Sequence, residues 1–360
     1  RFGLDAEQAD AILELKIYRL ARLEILIVRK ELADRRARER EVSGLLDHEA
    51  GRWAIVRGEI EQIQREYAGR ADARRTEIAG EIEEPAYTAD DFIVDEDNTV
   101  IVSQDGWVKR QKEVKDLNAT RLREGDRVLA CEAGSTRAAI VFFTNLGSAY
   151  TCRIVDVPAS TGYGEPIQRL FKFRDGERVV AAMSLDARAI GVIVPSAEAA
   201  PAPVHALAVT SDGYALRFNL DGFLEPSTRA GRRFARPAGG AEVVGVTRVD
   251  GTETVIAVTR EARAMLCPIA EVNLLSGPGK GVILIKIDPA RDRVLGFLAS
   301  TGDRDLMTVE TSRGALQTVS TTKYGVTGRG GRGRELLQRG QFVRVVSREV
   351  TVPALADDTA

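Results

Sequence analysis

From about Thr99 to Val350 the chain alternates short apolar runs with polar turns, and the alternation recurs as a unit. The clearest copies run from Val102 through Gly106 to Arg110, from Phe143 through Gly147 to Thr151, and from Val209 through Gly213 to Arg217. A weaker copy runs from Val258 through Ala262 to Leu266, and a fifth from Glu310 through Gly314 to Thr318. An apolar run, a polar turn with glycine and a second alternating run predict a β-hairpin, because glycine relieves the positive φ of a tight turn. The turn positions are spaced by 41, 66, 49 and 52 residues. Each hairpin is followed by a variable loop and then by a turn and a strand. These begin at Gly125-Asp126-Arg127-Val128, Gly176-Glu177-Arg178-Val179, Ala241-Glu242-Val243, Arg291-Asp292-Arg293-Val294 and Gly340-Gln341-Phe342. Units of roughly 40–50 residues that cannot bury an apolar face alone predict propeller-like blades, about five of them. The wide second interval holds 195–203, rich in Ala and Pro, which reads as a flexible inserted loop.

Residues 5–68 carry a different period. Ile12, Leu13, Leu15, Ile17, Leu20, Leu23, Ile25, Leu26, Ile27 and Leu32 fall at mixed three- and four-residue steps, which predicts helix. Asp5 with Gln8 three residues on is a capping-box start. The pattern is interrupted between Gly44 and Gly51 and resumes with Ile55, Val56, Ile60, Ile63 and Tyr67. Two helices with charged outer faces predict one arm of a long antiparallel hairpin, whose apolar face needs a partner beyond these residues. Two helices are too few to close a bundle core of their own. A charged linker containing Pro85 follows, so the organisation expected is 1–70 helical, 71–90 linker, 91–350 all-β, and 351–360 a flexible tail.

Composition narrows the chemistry. No run approaches the roughly 18 apolar residues of a membrane span. Cys131, Cys152 and Cys267 are far apart in strand-like runs, which predicts buried reduced thiols in a cytosolic chain. His48 and His205 are the two histidines and lack an acidic cluster, so no metal site is expected. The formal net charge of −2 averages over unlike parts. Lys323, Arg329, Arg332, Arg334, Arg339 and Arg344 share one segment with the single acid Glu335, and Arg229, Arg232, Arg233 and Arg236 share another with none. By contrast, 77–97 is acidic. Local basic loops are therefore the electrostatic clue. Gly277-Pro278-Gly279-Lys280-Gly281 is not a nucleotide-binding P-loop, since no Ser or Thr follows the lysine and Leu274 stands where that motif needs glycine. Trp53 and Trp107 read as packing residues.

Phe2-Gly3-Leu4-Asp5-Ala6-Glu7-Gln8-Ala9-Asp10-Ala11-Ile12-Leu13-Glu14-Leu15-Lys16, with Arg19-Leu20 and Leu23-Glu24, resembles the end of the breakage-reunion region of bacterial type IIA topoisomerase A subunits. Asp72-Ala73-Arg74-Arg75-Thr76-Glu77-Ile78 resembles the segment after that family's coiled-coil arm. The hairpin repeats, and Gly279-Lys280-Gly281-Val282-Ile283-Leu284-Ile285-Lys286, resemble its C-terminal β-pinwheel. The resemblance implies an α-helical coiled-coil and dimer-gate segment followed by an all-β, propeller-like β-pinwheel that binds and bends double-stranded DNA around its rim. It implies an A2B2 enzyme with an ATPase B subunit, and Mg2+ and ATP held by that partner rather than by this chain. It also implies a bacterial, cytoplasmic, nucleoid-associated setting.

The family's nucleophile is a tyrosine in an Arg-Tyr-Thr context. None of Tyr18, Tyr67, Tyr87, Tyr150, Tyr163, Tyr214 and Tyr324 has it, so no catalytic residue is expected here and the nucleophile is expected upstream of Arg1. Gyrase carries a Gln/Arg/Gly-rich box in its first blade, where this chain has Asn118-Ala119-Thr120-Arg121-Leu122-Arg123-Glu124-Gly125. A box-like Gly328-Arg329-Gly330-Gly331-Arg332-Gly333-Arg334 stands in the last unit instead, which tilts the expectation towards the topoisomerase IV type, with gyrase as the alternative. Glycines let backbone approach a duplex and arginines fork onto phosphates. The DNA-binding candidates are Lys323, Arg329, Arg332, Arg334 and Arg339, then Arg229, Arg232, Arg233 and Arg236, then Lys109, Arg110 and Lys280. A solvated loop is the plain alternative for each group. A non-enzymatic propeller scaffold is the rival for the whole, and it predicts acidic or apolar loops in place of the arginines.

Overall fold

The structure, a computed structural model, describes residues 3–14, 22–68, 93–190, 205–302 and 304–355. The segment 72–78, the loop 195–203, Tyr18, Tyr87, most of the linker and the last five residues lie outside the described residues. The chain divides into two compact units, Arg1–Pro85 and Ala86–Ala360.

The first unit is helical: α1 (Ala6–Leu13), α2 (Arg22–Asp47) and α3 (Glu49–Tyr67). Asp5 caps α1, its Oδ1 accepting the Gln8 N–H at 2.8 Å. The α2–α3 break falls at His48, whose extended backbone (φ −121°, ψ 110°) ends one helix and starts the next. Arg52 Nη1 ties the break by donating to the carbonyls of Leu45 and Leu46. No described side chain of these helices is buried, and Ile25, Leu26, Ile27, Ile60, Ile63 and Trp53 stand exposed. Trp53 is thus corrected from a packing residue: it is 63% exposed, with its indole N–H on Glu49.

The second unit follows the repeat. Unit by unit the strands are β1 (Asp97–Ser103), β2 (Trp107–Gln111) and β3 (Val128–Ser135); then β4 (Ala139–Thr144), β5 (Ser148–Arg153), β6 (Glu165–Pro166) and β7 (Val179–Ser184). The third repeat has β8 (His205–Thr210), β9 (Tyr214–Asn219), β10 (Arg232–Arg233) and β11 (Val243–Val249). The fourth has β12 (Thr254–Thr259), β13 (Arg263–Pro268), β14 (Leu274–Leu275), β15 (Val282–Ile283) and β16 (Val294–Ser300). The fifth has β17 (Met307–Thr311), β18 (Leu316–Val319), β19 (Arg334–Glu335) and β20 (Phe342–Val345). Each hairpin turns where predicted. Gly106, Gly147, Gly213 and Gly314 have φ between 78° and 87°, and Ala262, with φ 56°, takes the same turn at the weak copy. A hydroxyl at the end of each first strand holds the turn: Ser103, Thr144, Thr210, Thr259 and Thr311 accept the N–H four residues on.

The described strands form five sheets, and their order departs from the plain repeat. Sheet 1 runs β3-β1-β2-β6, sheet 2 β7-β4-β5-β10, sheet 3 β11-β8-β9 with β14 and β15, sheet 4 β16-β12-β13-β19, and sheet 5 β20-β17-β18. The outermost strand of sheets 1 to 4 therefore comes from the next repeat. What reads in sequence as a variable loop is a strand handed back to the preceding sheet. Four apolar cores fill the spaces between consecutive sheets. Val102, Phe142, Tyr150 and Ile167 lie between sheets 1 and 2, and Phe143, Phe218, Phe223 and Phe234 between sheets 2 and 3. Leu207, Val255, Met265 and Leu284 lie between sheets 3 and 4, and Ile256, Leu266, Val309 and Phe342 between sheets 4 and 5. In the second core Phe143 meets three other rings edge-on at 5.0–5.8 Å, a favourable aromatic geometry. Cys131, Cys152 and Cys267 are free and buried, and desolvation pushes each thiol up to about 12.

Candidate nucleic-acid interface

Each handed-back segment starts on a glycine with positive φ: Gly164 (85°), Gly231 (69°), Gly281 (83°) and Gly333 (69°). A Cβ at any of them would fall closer than 3.0 Å to a backbone carbonyl oxygen, that of Val108, Ala149, Ala215 or Ala264 respectively. Glycine is needed there twice over, for its dihedral and for the close approach. Three residues on, the N–H of Ile167, Phe234, Leu284 or Leu336 donates to the carbonyl of the preceding hairpin turn, at Gly106, Gly147, Gly213 or Ala262. An apolar side chain at that position then enters the core, which locks the segment onto the outer edge.

Successive segments also bond to one another. Lys172 N–H donates to Arg229 O at 2.7 Å, Arg236 N–H to Gly279 O at 2.8 Å, and Lys286 N–H to Gly331 O at 2.7 Å. A main-chain belt therefore runs along the outer edges of sheets 1 to 4, and the basic residues sit on it. Arg229, Arg232, Arg233, Arg236, Lys280, Arg329, Arg332 and Arg334 all reach solvent there. Several are aimed by the backbone beneath them. The Arg229 guanidinium donates to Arg169 O and Leu170 O at 3.0 and 3.2 Å, and Arg232 Nη1 to Gly222 O at 2.5 Å. Lys280 Nζ sits 3.8 Å from the centroid of the Tyr214 ring, with Asp212 at 3.9 Å. Lys323 and Arg334 flank the Tyr324 ring from 5.6 Å each. Arg339 is exposed just before β20. Among the described residues Arg233, Arg236, Arg332 and Arg339 make no ion pair. Their charge is uncompensated, as phosphate binding requires.

Two candidates do not join the belt. Lys109 is 1% exposed, and its Nζ donates to Arg121 O at 2.7 Å and Gly162 O at 2.8 Å. Burial, and then the Arg121 charge, hold its pKa below the ordinary lysine value. Arg110 spends its guanidinium on Asn98 Oδ1, Val155 O and Val157 O. Both are corrected here from DNA contacts to structural residues. As neighbours on β2 the two side chains take opposite faces, and the segment 155–166 from the next repeat, paired along the edge of β2, supplies carbonyls to both. Conversely, Lys172 and Lys286 lie on the belt and do not stand out in the sequence. Their signal is a cation placed eight and five residues after the leading glycines Gly164 and Gly281. Among the described residues no group of three His, Cys, Asp or Glu side chains is placed to hold a metal ion, and no helix is long and apolar enough to cross a membrane.

Repeated three- to five-stranded sheets, four of them with exchanged outer strands, and a cationic rim define a β-propeller of the pinwheel kind. Residues 138–186, 205–250 and 253–301 match the family described as DNA gyrase C-terminal domain, beta-propeller. Over 99% of its length it is 27% identical to the A subunit of DNA topoisomerase 4 from Escherichia coli K12, covering 45% of that protein. Over 92% it is 24% identical to the A subunit of DNA gyrase from Pseudomonas aeruginosa, covering 40% of that one. The chain thus spans less than half the length of these relatives. In fold, 71% of the chain superposes on 79% of a C-terminal domain of DNA topoisomerase IV with a TM-score of 0.62 at 20% identity. With the whole of the E. coli ParC C-terminal domain, 72% of the chain superposes with a TM-score of 0.56, also at 20% identity.

Proposed function

We propose that this chain is the C-terminal portion of the A subunit of a type II DNA topoisomerase, and that its second unit binds and bends duplex DNA along the rim. The observation that carries this is the belt, a continuous hydrogen-bonded main chain with exposed arginines and lysines on sheets 2 to 4. A duplex is a regular line of phosphates, and a curved line of fixed cations is its electrostatic complement. The positive-φ glycines at 328, 330 and 333 let the arginine-bearing segment run close along the edge of sheet 4. In this reading the five sheets are five pinwheel blades. The helices of the first unit belong to the exit gate and coiled-coil arm, where their exposed apolar side chains find partners. The whole enzyme is an A2B2 assembly in the bacterial cytoplasm. ATP and Mg2+ sit on its B subunit, while the nucleophilic tyrosine belongs to a part of the A subunit outside this sequence. The topoisomerase IV type is favoured over gyrase, because the Gly/Arg box stands in the fifth repeat and the first repeat has none.

The test is anisotropy of a labelled duplex titrated with the chain at several salt concentrations. Binding should show little sequence preference, with log affinity falling against log salt by about 0.9 per phosphate contact. Salt-independent binding, or none, sinks the reading and favours a protein-binding scaffold.

A further inference from the structure

The arginine-bearing segments on sheets 2 and 4 start alike and then diverge. Ser227 N–H donates to Thr151 O and Thr327 N–H to Leu266 O. Thr151 and Leu266 hold the same place in β5 and β13, four residues past the hairpin turn. Gly231 stands four positions after Ser227, whereas Gly333 stands six after Thr327. The segment on sheet 4 therefore carries two extra residues, and Arg329 lies in the lengthened loop. We propose that Glu271 is the positioning residue of this loop: its carboxylate is the acceptor that fixes the Arg329 main chain on the rim for duplex contact. This inference rests on the duplex-binding reading of the rim.

Glu271 closes the short 3-10 turn, Ile269–Glu271, that follows β13. Its Oε2 accepts the Arg329 N–H at 2.9 Å. The carboxylate also lies close against Gly328, where a Cβ would meet Oε1 and Oε2 at 3.2 and 3.3 Å. Beyond Arg329, the Gly330 N–H donates to Leu284 O at 2.8 Å, and Gly331 O accepts the Lys286 N–H at 2.7 Å. Main-chain bonds thus pin both flanks of the loop, and one side chain pins its middle. Without that side chain the Arg329 N–H loses its acceptor between two glycines, the residues with most backbone freedom to regain. The equivalent positions in other sheets do not reach across. Asp156 in sheet 2 turns back to accept the N–H of Arg153 from its own repeat at 3.1 Å, and sheet 3 has Gly222 there.

Glu271 is exposed, and among the described residues it makes no ion pair. An unpaired carboxylate beside the rim arginines repels a phosphate, so its charge opposes duplex binding while its hydrogen bond favours it. The bond is of the strong, charge-assisted kind, and it sets where Arg329 stands. Glutamine keeps the acceptor and removes the charge, and alanine removes both. The two substitutions therefore separate the opposing effects.

The experiment is anisotropy of a labelled duplex titrated with the full chain at several salt concentrations, with thermal melts as the folding control. Glu271→Ala should bind about five-fold more weakly, and its salt slope should fall by about 0.9, the share of one phosphate contact. Glu271→Gln should bind at least as tightly as the native chain and keep its slope. Arg329→Ala should lower affinity and slope, and adding Glu271→Ala to it should weaken binding no further, because the first acts through the second. Alanine at 271 that binds as well as the native chain overturns the proposal, since Glu271 would then only oppose the duplex. Equal losses for alanine and glutamine overturn it, because the acceptor would not be what counts, and additive losses in the double variant overturn it because Arg329 would not be the target. A native chain that binds no duplex is a different result: the duplex-binding reading itself fails, and the proposal falls with it.

Discussion

Sheets 4 and 5 are built from the same repeat, yet one outer edge is covered and the other bare. In sheet 4, Ala264 is 2% exposed beneath Arg334 and Glu335; in sheet 5 the matching Leu316 is 65% exposed. The hairpins do not explain the difference, since both turn on positive φ and both hold the turn with a threonine hydroxyl. The difference lies in the repeat that follows each. Repeat 5 brings Gly333 to sheet 4, whereas no described strand is handed to β18 of sheet 5. An edge in this fold is thus completed by a residue far away in sequence, and the basic rim exists only where such residues put it.

The comparison breaks most easily at a leading glycine. Gly281→Val forces a branched side chain into φ 83° against Ala215 O, so the donated strand should leave sheet 3. A loss of about 4 kcal/mol is expected from backbone strain plus the uncovered core. Asn118→Val, in a turn that pairs with no sheet, should change stability by less than about 0.5 kcal/mol. Thermal melts of the two variants suffice, and equal losses would show that the glycines do not control exchange.

Next in size is the rim. Replacing Arg329, Arg332 and Arg334 by alanine should weaken duplex binding by about 3 kcal/mol, since charge-assisted hydrogen bonds contribute roughly 1.5–3 kcal/mol each before non-additivity. Alanines at Arg229, Arg232 and Arg233 should cost less, because the first two already donate to carbonyls beneath them. Anisotropy at fixed salt, with circular dichroism as the folding control, ranks the two. The reverse order would move the main contact from sheet 4 to sheet 2.

A third test separates outer edge from inner packing. Glu132 lies on the inner strand β3, its Oε2 accepting the Ser184 N–H from β7, and burial pushes its carboxyl up to about 7. A folded-state pKa above the ordinary value of about 4.5 means that the stability contribution is full below 4.5 and lost as pH rises through 7. Glu132→Gln keeps the acceptor without titrating. Relative to the native chain it should gain about 3 kcal/mol between pH 4 and pH 8. A pH-independent difference would remove burial as the cause. The smallest effect is expected at the bare edge itself: Leu316→Thr should stay within about 0.5 kcal/mol, where a covered position could not. A larger loss would mean that something covers sheet 5 after all.

Much of this was legible in the residues. Period-two runs around a glycine are a local signal, so all five hairpins and their closing strands stand where the pattern puts them. The clustered arginines at 229–236 and 329–334 were legible as well, because uncompensated charge needs no fold to be seen. The exchanged strands were not: two residues carry no periodicity, and a glycine before them reads as loop. Lys109 and Arg110 were misread for a related reason, since a strand pattern does not show which later segment pairs along its edge and draws those cations inward. The helices were visible from their period, and the partner for their apolar side chains was not. By itself the sequence determined the hairpins, the strands that close them and where charge collects, because these depend on neighbours along the chain. Only the tertiary structure decided which sheet each outer strand completes, which cations remain at the surface and which edge stays open. Those are set by close backbone approaches between segments tens of residues apart.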